Sequence, residues 1–257
     1  GDWSSDVCSS DLPFGRWKAH VEGVRYVATQ TDLVPVGMSI GPFSLMTKLV
    51  ADPISAVFLA GSGEDDPEVA LVERALELGL RMILRSIATQ LEAGAQAVIV
   101  CEPAANQVYF SPNQLATGTD IFTRYVIAPN QHLKSLLADA GAHLIFHDCG
   151  ELTDGMVRDF AGLEPAMLSL GSSRTLWKDA ALLPKSIVLF GNLPTKRFYS
   201  DDLVTRADVE RVAAELIAQM RAVGHPFILG SECDVLSVPE RERTIKDKVN
   251  AFLTCGR

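Results

Sequence analysis

The sequence predicts an α/β fold built on a parallel β-sheet, and three observations support this prediction. Six short apolar runs alternate with segments of helical periodicity, and no region rich in proline, glycine or serine divides the chain. The length of 257 residues is sufficient for one large core. This pattern allows an open doubly wound sheet or a (β/α)₈ barrel, which typically takes about 250 residues.

The predicted strands are continuously apolar rather than alternating, which is typical of parallel strands covered on both faces. They are Val34–Ile40, Ala97–Cys101, His143–His147, Ala166–Leu170, Ser186–Phe190 and Pro226–Leu229.

The segments between the strands carry apolar residues at steps of three and four, which define one face of a helix. The longest is Pro67–Ala93, where Pro67 suits the first turn and Gly94 the C-terminal cap. A helix is also expected from Asp120 to Leu137, with a kink at Pro129 because proline removes a backbone donor. Similar periodicity begins at Val209 and at Ile245.

Composition excludes several classes of protein. The net charge of -9 argues against nucleic acid and anionic membrane surfaces as partners. No run of 18 apolar residues occurs, so no transmembrane helix is expected. Five cysteines without C-x-x-C spacing indicate free thiols or metal ligands in a reducing, cytoplasmic setting. No G-x-G-x-x-G follows a predicted strand, which disfavours a dinucleotide-binding sheet.

The first twelve residues differ from everything that follows. Residues 1–12 show neither helical nor strand periodicity and lack the basic start of a signal peptide. They resemble the in-frame translation of a sequencing adapter, and the alternative is a disordered native tail. We therefore expect a non-native segment over residues 1–12 and one barrel domain over residues 13–257.

The sharpest candidate site is a set of metal ligands at the carboxyl ends of the predicted strands, where α/β proteins place their sites. His147 and Cys149 are two residues apart in an extended segment and point to the same side. Cys233 follows a later strand and could complete the set. One imidazole and two thiolates suit a catalytic Zn²⁺ with an open position. The alternative is two small buried thiols and a hydrogen-bonded histidine.

Other strand-end residues have two interpretations each. Glu102 could be a further zinc ligand or a general base, or a carboxylate at a helix N-terminus. Arg174 and the pair Lys196-Arg197 could meet an anionic substrate or could be solvated loop charges. Asp148 and Glu232 alternate with the ligands, so they are expected to face away and to support neighbouring residues.

From about Val34 to its C-terminus the chain resembles the uroporphyrinogen decarboxylase superfamily of TIM barrels. Gly41-Pro-Phe-Ser-Leu45 is similar to its G-P-[FW]-[ST]-L segment, and Gly191-Asn-Leu-Pro194 to its G-N-[LM]-[DP]-P strand end. Glu92–Val98 resembles the helix-to-strand entry between them. The resemblance implies an N-terminally truncated (β/α)₈ barrel with about six of eight βα units. We expect substrate contacts at Gly41, Phe43 and Asn192, which lie in these motifs, and at Arg174, which follows a predicted strand.

The superfamily has two branches, and the candidate ligands separate them. Its decarboxylases use no metal and bind an acidic tetrapyrrole through N-terminal arginines. Its methyltransferase branch, similar to methylcobalamin:coenzyme M methyltransferases, carries H-x-C…C as a zinc site. His147-Asp148-Cys149 and Cys233 match that pattern, and Ser231 lies where decarboxylases carry a histidine.

The resemblance therefore implies a zinc-dependent methyltransferase. A corrinoid protein would supply the methyl group, a small thiol would receive it, and His147, Cys149 and Cys233 would be catalytic residues. Glu102 is added to the expected catalytic residues from its place after a predicted strand. One alternative is a metal-free carboxy-lyase acting on uroporphyrinogen or a related acidic substrate. Another is a non-catalytic barrel that binds a corrinoid protein or ligand, which a wide separation of His147 and Cys233 would favour. Because six strands cannot close an eight-stranded barrel, open edges and poor solubility are also expected.

Overall fold

A computed structural model describes residues 15–255 of the chain and shows one sheet of six parallel strands. The strand order follows the chain without reversal, and each strand pairs in parallel with the next. The strands are β1 (Val36–Ile40), β2 (Ala97–Cys101), β3 (His143–Asp148), β4 (Met167–Leu170), β5 (Val188–Leu193) and β6 (Phe227–Ser231). This sequential order is that of a TIM-barrel type fold, because a doubly wound sheet reverses its order at a switch point.

The strand predictions are confirmed, with the largest difference at the carboxyl ends of β5 and β6. Both strands run two or three residues further than their apolar runs, since Asn192 pairs with Gly230 and Leu193 with Ser231. The polar residues after the apolar runs therefore still belong to the sheet. The prediction for residues 1–12 lies outside the described residues.

Helices connect the strands and cover one face of the sheet. They are α1 (Arg16–Gln30), α2 (Pro42–Met46), α3 (Pro53–Ser62), α4 (Pro67–Glu92), α5 (Pro112–Ala116), α6 (Ala128–Asp139), α7 (Asp154–Ala161), α8 (Leu176–Asp179), α9 (Arg206–Val223) and α10 (Glu242–Thr254). None of the helices within residues 15–255 combines the length and the apolar character that crossing a membrane requires.

Local sequence signals explain where the long helices begin and end. Pro67 occupies the first turn of α4, and the Asp66 side chain accepts a hydrogen bond from the Glu68 amide at 2.8 Å. In α9, Thr205 and Asp208 form a reciprocal capping box, and Gly224 ends the helix in the left-handed conformation.

The expected kink near Pro129 takes a specific form. A π-helical turn over Thr123–Ile127 leads directly into α6, so that Pro129 lies in the first turn of a new helical segment. Proline has no amide hydrogen to donate, and the wider turn before it accommodates that missing bond. The segment stays continuous but changes its hydrogen-bonding pattern where the sequence predicted a disturbance.

The core between sheet and helices contains a chain of contacting aromatic rings. Phe43 packs on Phe110 with ring centroids 4.7 Å apart, Phe110 on Phe122 at 5.0 Å, and Phe122 on Phe160 at 5.7 Å. Phe146 of β3 contacts Phe160 at 4.8 Å. These rings connect α2 and α7 to the middle of the sheet and fix the positions of the strand ends that carry the candidate site.

Candidate metal centre

Three predicted ligands come together at the carboxyl ends of β3 and β6. His147 lies in β3, Cys149 directly follows it, and Cys233 follows β6. Their ligand atoms all lie within 4.8 Å of one another, and the two Sγ atoms are 3.6 Å apart although 84 positions separate them in the chain. Since β4 and β5 lie between these strands, the curvature of the sheet brings the two ends together.

The donor set fits zinc. One imidazole nitrogen and two thiols are ligands that Zn²⁺ prefers, and three protein ligands leave a fourth tetrahedral position open. Two sulfur atoms bound at the usual zinc distance in a tetrahedron lie about 3.8 Å apart. The observed separation of 3.6 Å is close to that value.

His147 is held in a form that can bind a metal. Its Nδ1 lies 2.8 Å from Ser169 Oγ, which leaves Nε2 for a ligand role. Burial lowers the pKa of this imidazole, and the positive charge of Lys196 lowers it further. The neutral ring is the form that coordinates metal ions. Ser169 was not predicted, although it is the register partner of His147 across β3 and β4.

The two cysteines lie in contact with a cation. Lys196 Nζ is 3.3 Å from Cys149 Sγ. Burial and the neighbouring Cys233 together raise the pKa of Cys149 to about 11, whereas the positive charge of Lys196 lowers this pKa. Without a metal, Cys149 is therefore a thiol at neutral pH. Zinc binding would release that proton, as it does at other thiolate sites.

Glu102 lies apart from this ligand group. It is 0 % exposed, and its carboxylate accepts hydrogen bonds from the Phe43 amide at 3.1 Å, the Ser44 amide at 2.8 Å and Asn130 Nδ2 at 2.9 Å. Burial raises its pKa, whereas these hydrogen bonds lower it. The structure thus favours the alternative of a helix N-terminal carboxylate, at α2, over the predicted metal ligand or base.

Asp148 and Glu232 support loops beside the site. Asp148 Oδ1 accepts the Gly150 amide at 2.7 Å, while its buried Oδ2 has no hydrogen-bond partner among the described residues. Burial raises the pKa of Asp148 well above its usual value. Glu232 accepts from the amide and the hydroxyl of Ser172. Neither carboxylate belongs to the ligand group, which agrees with the expectation that they face away from it.

The structure gives Gly41 and Phe43 roles in packing instead of the predicted substrate contacts. A Cβ on Gly41 would lie 2.1 Å from the carboxyl carbon of Glu102, so glycine is required for that carboxylate to reach the start of α2. Phe43 is fully buried in the aromatic core and cannot touch a ligand from solvent in this arrangement.

Asn192 and Arg174 are also engaged within the chain. Asn192 Nδ2 donates to the carbonyls of Gly171 at 2.8 Å and Arg174 at 2.9 Å. The Arg174 guanidinium pairs with Asp179 and Asp154, so its charge is already neutralised. The structure favours a role in shaping the loop after β4 over the predicted contact with an anionic substrate.

Comparisons with known proteins are consistent with this fold. A family model described as uroporphyrinogen decarboxylase (URO-D) matches residues 6–251. A curated uroporphyrinogen decarboxylase of Methylibium petroleiphilum is 25% identical over 235 residues, covering 84% of this chain and 56% of that protein. The solved structure of a methyltransferase from Methanosarcina mazei matches with a TM-score of 0.68 at 18% identity, covering 93% of this chain and 64% of that one. The chain thus spans between half and two thirds of the length of these relatives.

Proposed function

The chain belongs to the uroporphyrinogen decarboxylase family, and we propose that within it the protein is a zinc-dependent methyltransferase that transfers a methyl group from a methylated corrinoid to a thiol. The single observation that carries the proposal is the convergence of His147, Cys149 and Cys233 within 4.8 Å. A metal-free decarboxylase has no need of two thiols and an imidazole at this distance.

The side chains of the site have distinct roles in this proposal. His147 and the two cysteines bind the ion, and Ser169 keeps the imidazole oriented toward it. A zinc ion bound there supplies the positive charge that lowers the pKa of a substrate thiol. The two cysteines bring compensating negative charge, which keeps the substrate sulfur electron-rich.

The methyl donor belongs to the partner in this proposal. A corrinoid protein would present its methyl group at the strand ends, and the corrinoid would be the leaving group. The barrel would position the substrate sulfur against the methyl carbon, which would lower the entropic cost of bringing them together. A reducing, cytoplasmic compartment would keep Cys149 and Cys233 available as ligands.

A metal-free carboxy-lyase is the second candidate, and the name of the curated relative from M. petroleiphilum favours it. It predicts turnover of an acidic tetrapyrrole without any dependence on zinc. The non-catalytic alternative lacks the wide separation of His147 and Cys233 that would have favoured it.

Metal analysis of the full chain tests the proposal. We expect about one zinc per chain, and a loss of affinity of about two orders of magnitude or more in His147→Ala, Cys149→Ser and Cys233→Ser. Cys255→Ser is the matched control, because this thiol lies at the end of α10, outside the ligand group. Stoichiometric zinc that persists in both Cys149→Ser and Cys233→Ser would refute the proposal.

A further inference from the structure

Lys196 is a positive charge at the metal site that the proposed function leaves unexplained. Its ammonium lies 3.3 Å from Cys149 Sγ. Among the residues that the structure describes, it forms no ion pair with a carboxylate, in contrast to Arg174 and Lys248. The negative charge of Glu232 also acts on the Lys196 ammonium. The carboxylate of Glu232, however, already accepts two hydrogen bonds from Ser172.

The lysine is held at this place by its own loop. It lies in a short 3-10 turn, Thr195–Arg197, that directly follows β5. The buried Thr195 donates through Oγ1 to the carbonyl of Cys233 at 3.0 Å and to that of Asp234 at 3.2 Å. Adjacent residues of one turn thus contact both cysteine loops, so the half-buried ammonium is fixed beside the ligands.

A charge count indicates what this ammonium does. A zinc ion, two cysteine thiolates and a neutral histidine sum to zero. A neutral fourth ligand leaves that sum unchanged, whereas an anionic ligand makes it negative at a half-buried place where charges interact more strongly than in water. The positive charge of Lys196 offsets that excess.

We propose that Lys196 makes the fourth position selective for an anionic ligand, so that a thiol is bound as its thiolate in preference to a neutral group. Lys196 acts in this role as a specificity-determining residue rather than as a ligand of the metal. The inference rests on the proposed function, because it needs a metal ion at His147, Cys149 and Cys233.

Ligand titrations of the Co²⁺-loaded full chain test this inference, because absorption bands of Co²⁺ report both thiolate ligation and coordination number. Two probes are compared above the pKa of imidazole: 2-mercaptoethanol, which binds as a thiolate, and imidazole, which binds without charge. We expect Lys196→Met to weaken 2-mercaptoethanol binding roughly 10- to 100-fold and to leave imidazole binding unchanged. Lys196→Arg keeps the charge and should retain most of the thiol affinity.

The matched control is Lys185→Met, which removes an exposed lysine just before β5 and should change neither titration. Unchanged thiol affinity in Lys196→Met would overturn the inference while leaving the proposed function intact. An equal loss for both probes would also overturn it, since it would show a purely structural role. If the unmodified chain binds no Co²⁺ or Zn²⁺, the proposed function fails and this inference fails with it.

Discussion

Each of the three candidate ligands makes a hydrogen bond with a residue in β4 or directly after β5. Ser169 at β4 contacts His147, Lys196 after β5 contacts Cys149, and Thr195 contacts the backbone of Cys233. Partners of this kind orient metal ligands, and their loss typically lowers metal affinity. The ligand group therefore depends on β4 and β5, which contribute no ligand of their own.

Glu102 shows how a strand-end carboxylate can be structural. We expect Glu102→Gln to lower the free energy of unfolding by about 1–3 kcal/mol, because one amide oxygen replaces two oxygens that accept from the Phe43 and Ser44 amides. Urea denaturation measures this loss. The affinity of the folded variant for Co²⁺ should stay unchanged, and a tenfold or greater fall in that affinity would show instead that Glu102 takes part in the metal site.

At the scale of elements, α4 protects the free edge of β1. The Met38 amide donates to Gln90 Oε1 at 2.8 Å, and Gln90 Nε2 donates to the Met38 carbonyl at 3.1 Å. The side chain of a helix thus provides the pair of hydrogen bonds that a neighbouring strand would make. Gly37 permits this, since a Cβ there would lie 2.3 Å from Gln90 Oε1.

Replacing Gln90 tests this edge protection. Gln90→Leu leaves the Met38 carbonyl without this partner and leaves the Met38 amide only the longer contact with His20 Nε2 at 3.4 Å. We expect a loss of roughly 1–3 kcal/mol in the free energy of unfolding. Gln131→Leu, at an exposed position of α6, is the control and should change stability by less than about 0.5 kcal/mol. Equal stability of the two variants in thermal and urea melts would show that the contact contributes little.

At the scale of the whole molecule, the face of the sheet opposite the helices is partly exposed to solvent. Val36, Met38 and Ile228 are 43%, 56% and 45% exposed. They lie in β1 and β6, which are the two edges of the sheet within the described residues. Exposed apolar side chains beside a strand edge favour association between molecules. This face of the sheet is therefore expected to promote association of the chain in solution.

We therefore expect the purified 257-residue chain to associate as its concentration rises, despite its net charge of -9. Size-exclusion chromatography with light scattering measures this directly. Polar substitution of Val36, Met38 and Ile228 should shift the chain toward the monomer, because it removes the exposed apolar surface. A monomer that melts cooperatively without such substitutions would contradict the prediction.

The sequence by itself determined the six strands, the long helices and the pairing of His147 with Cys149. These depend on periodicity and on residues two to four positions apart, which local backbone geometry relates directly. The resemblance to the uroporphyrinogen decarboxylase family is also visible in the sequence, because it rests on short motifs of adjacent residues.

Only the tertiary structure decided which distant residues meet. It brought Cys233 to Cys149 across 84 positions, placed Glu102 at the start of α2, and put Lys196 rather than Arg174 at the metal site. The physical reason is that strand spacing along the chain does not specify the curvature of the sheet. That curvature, together with the loops after β5 and β6, sets the distances on which the chemistry depends.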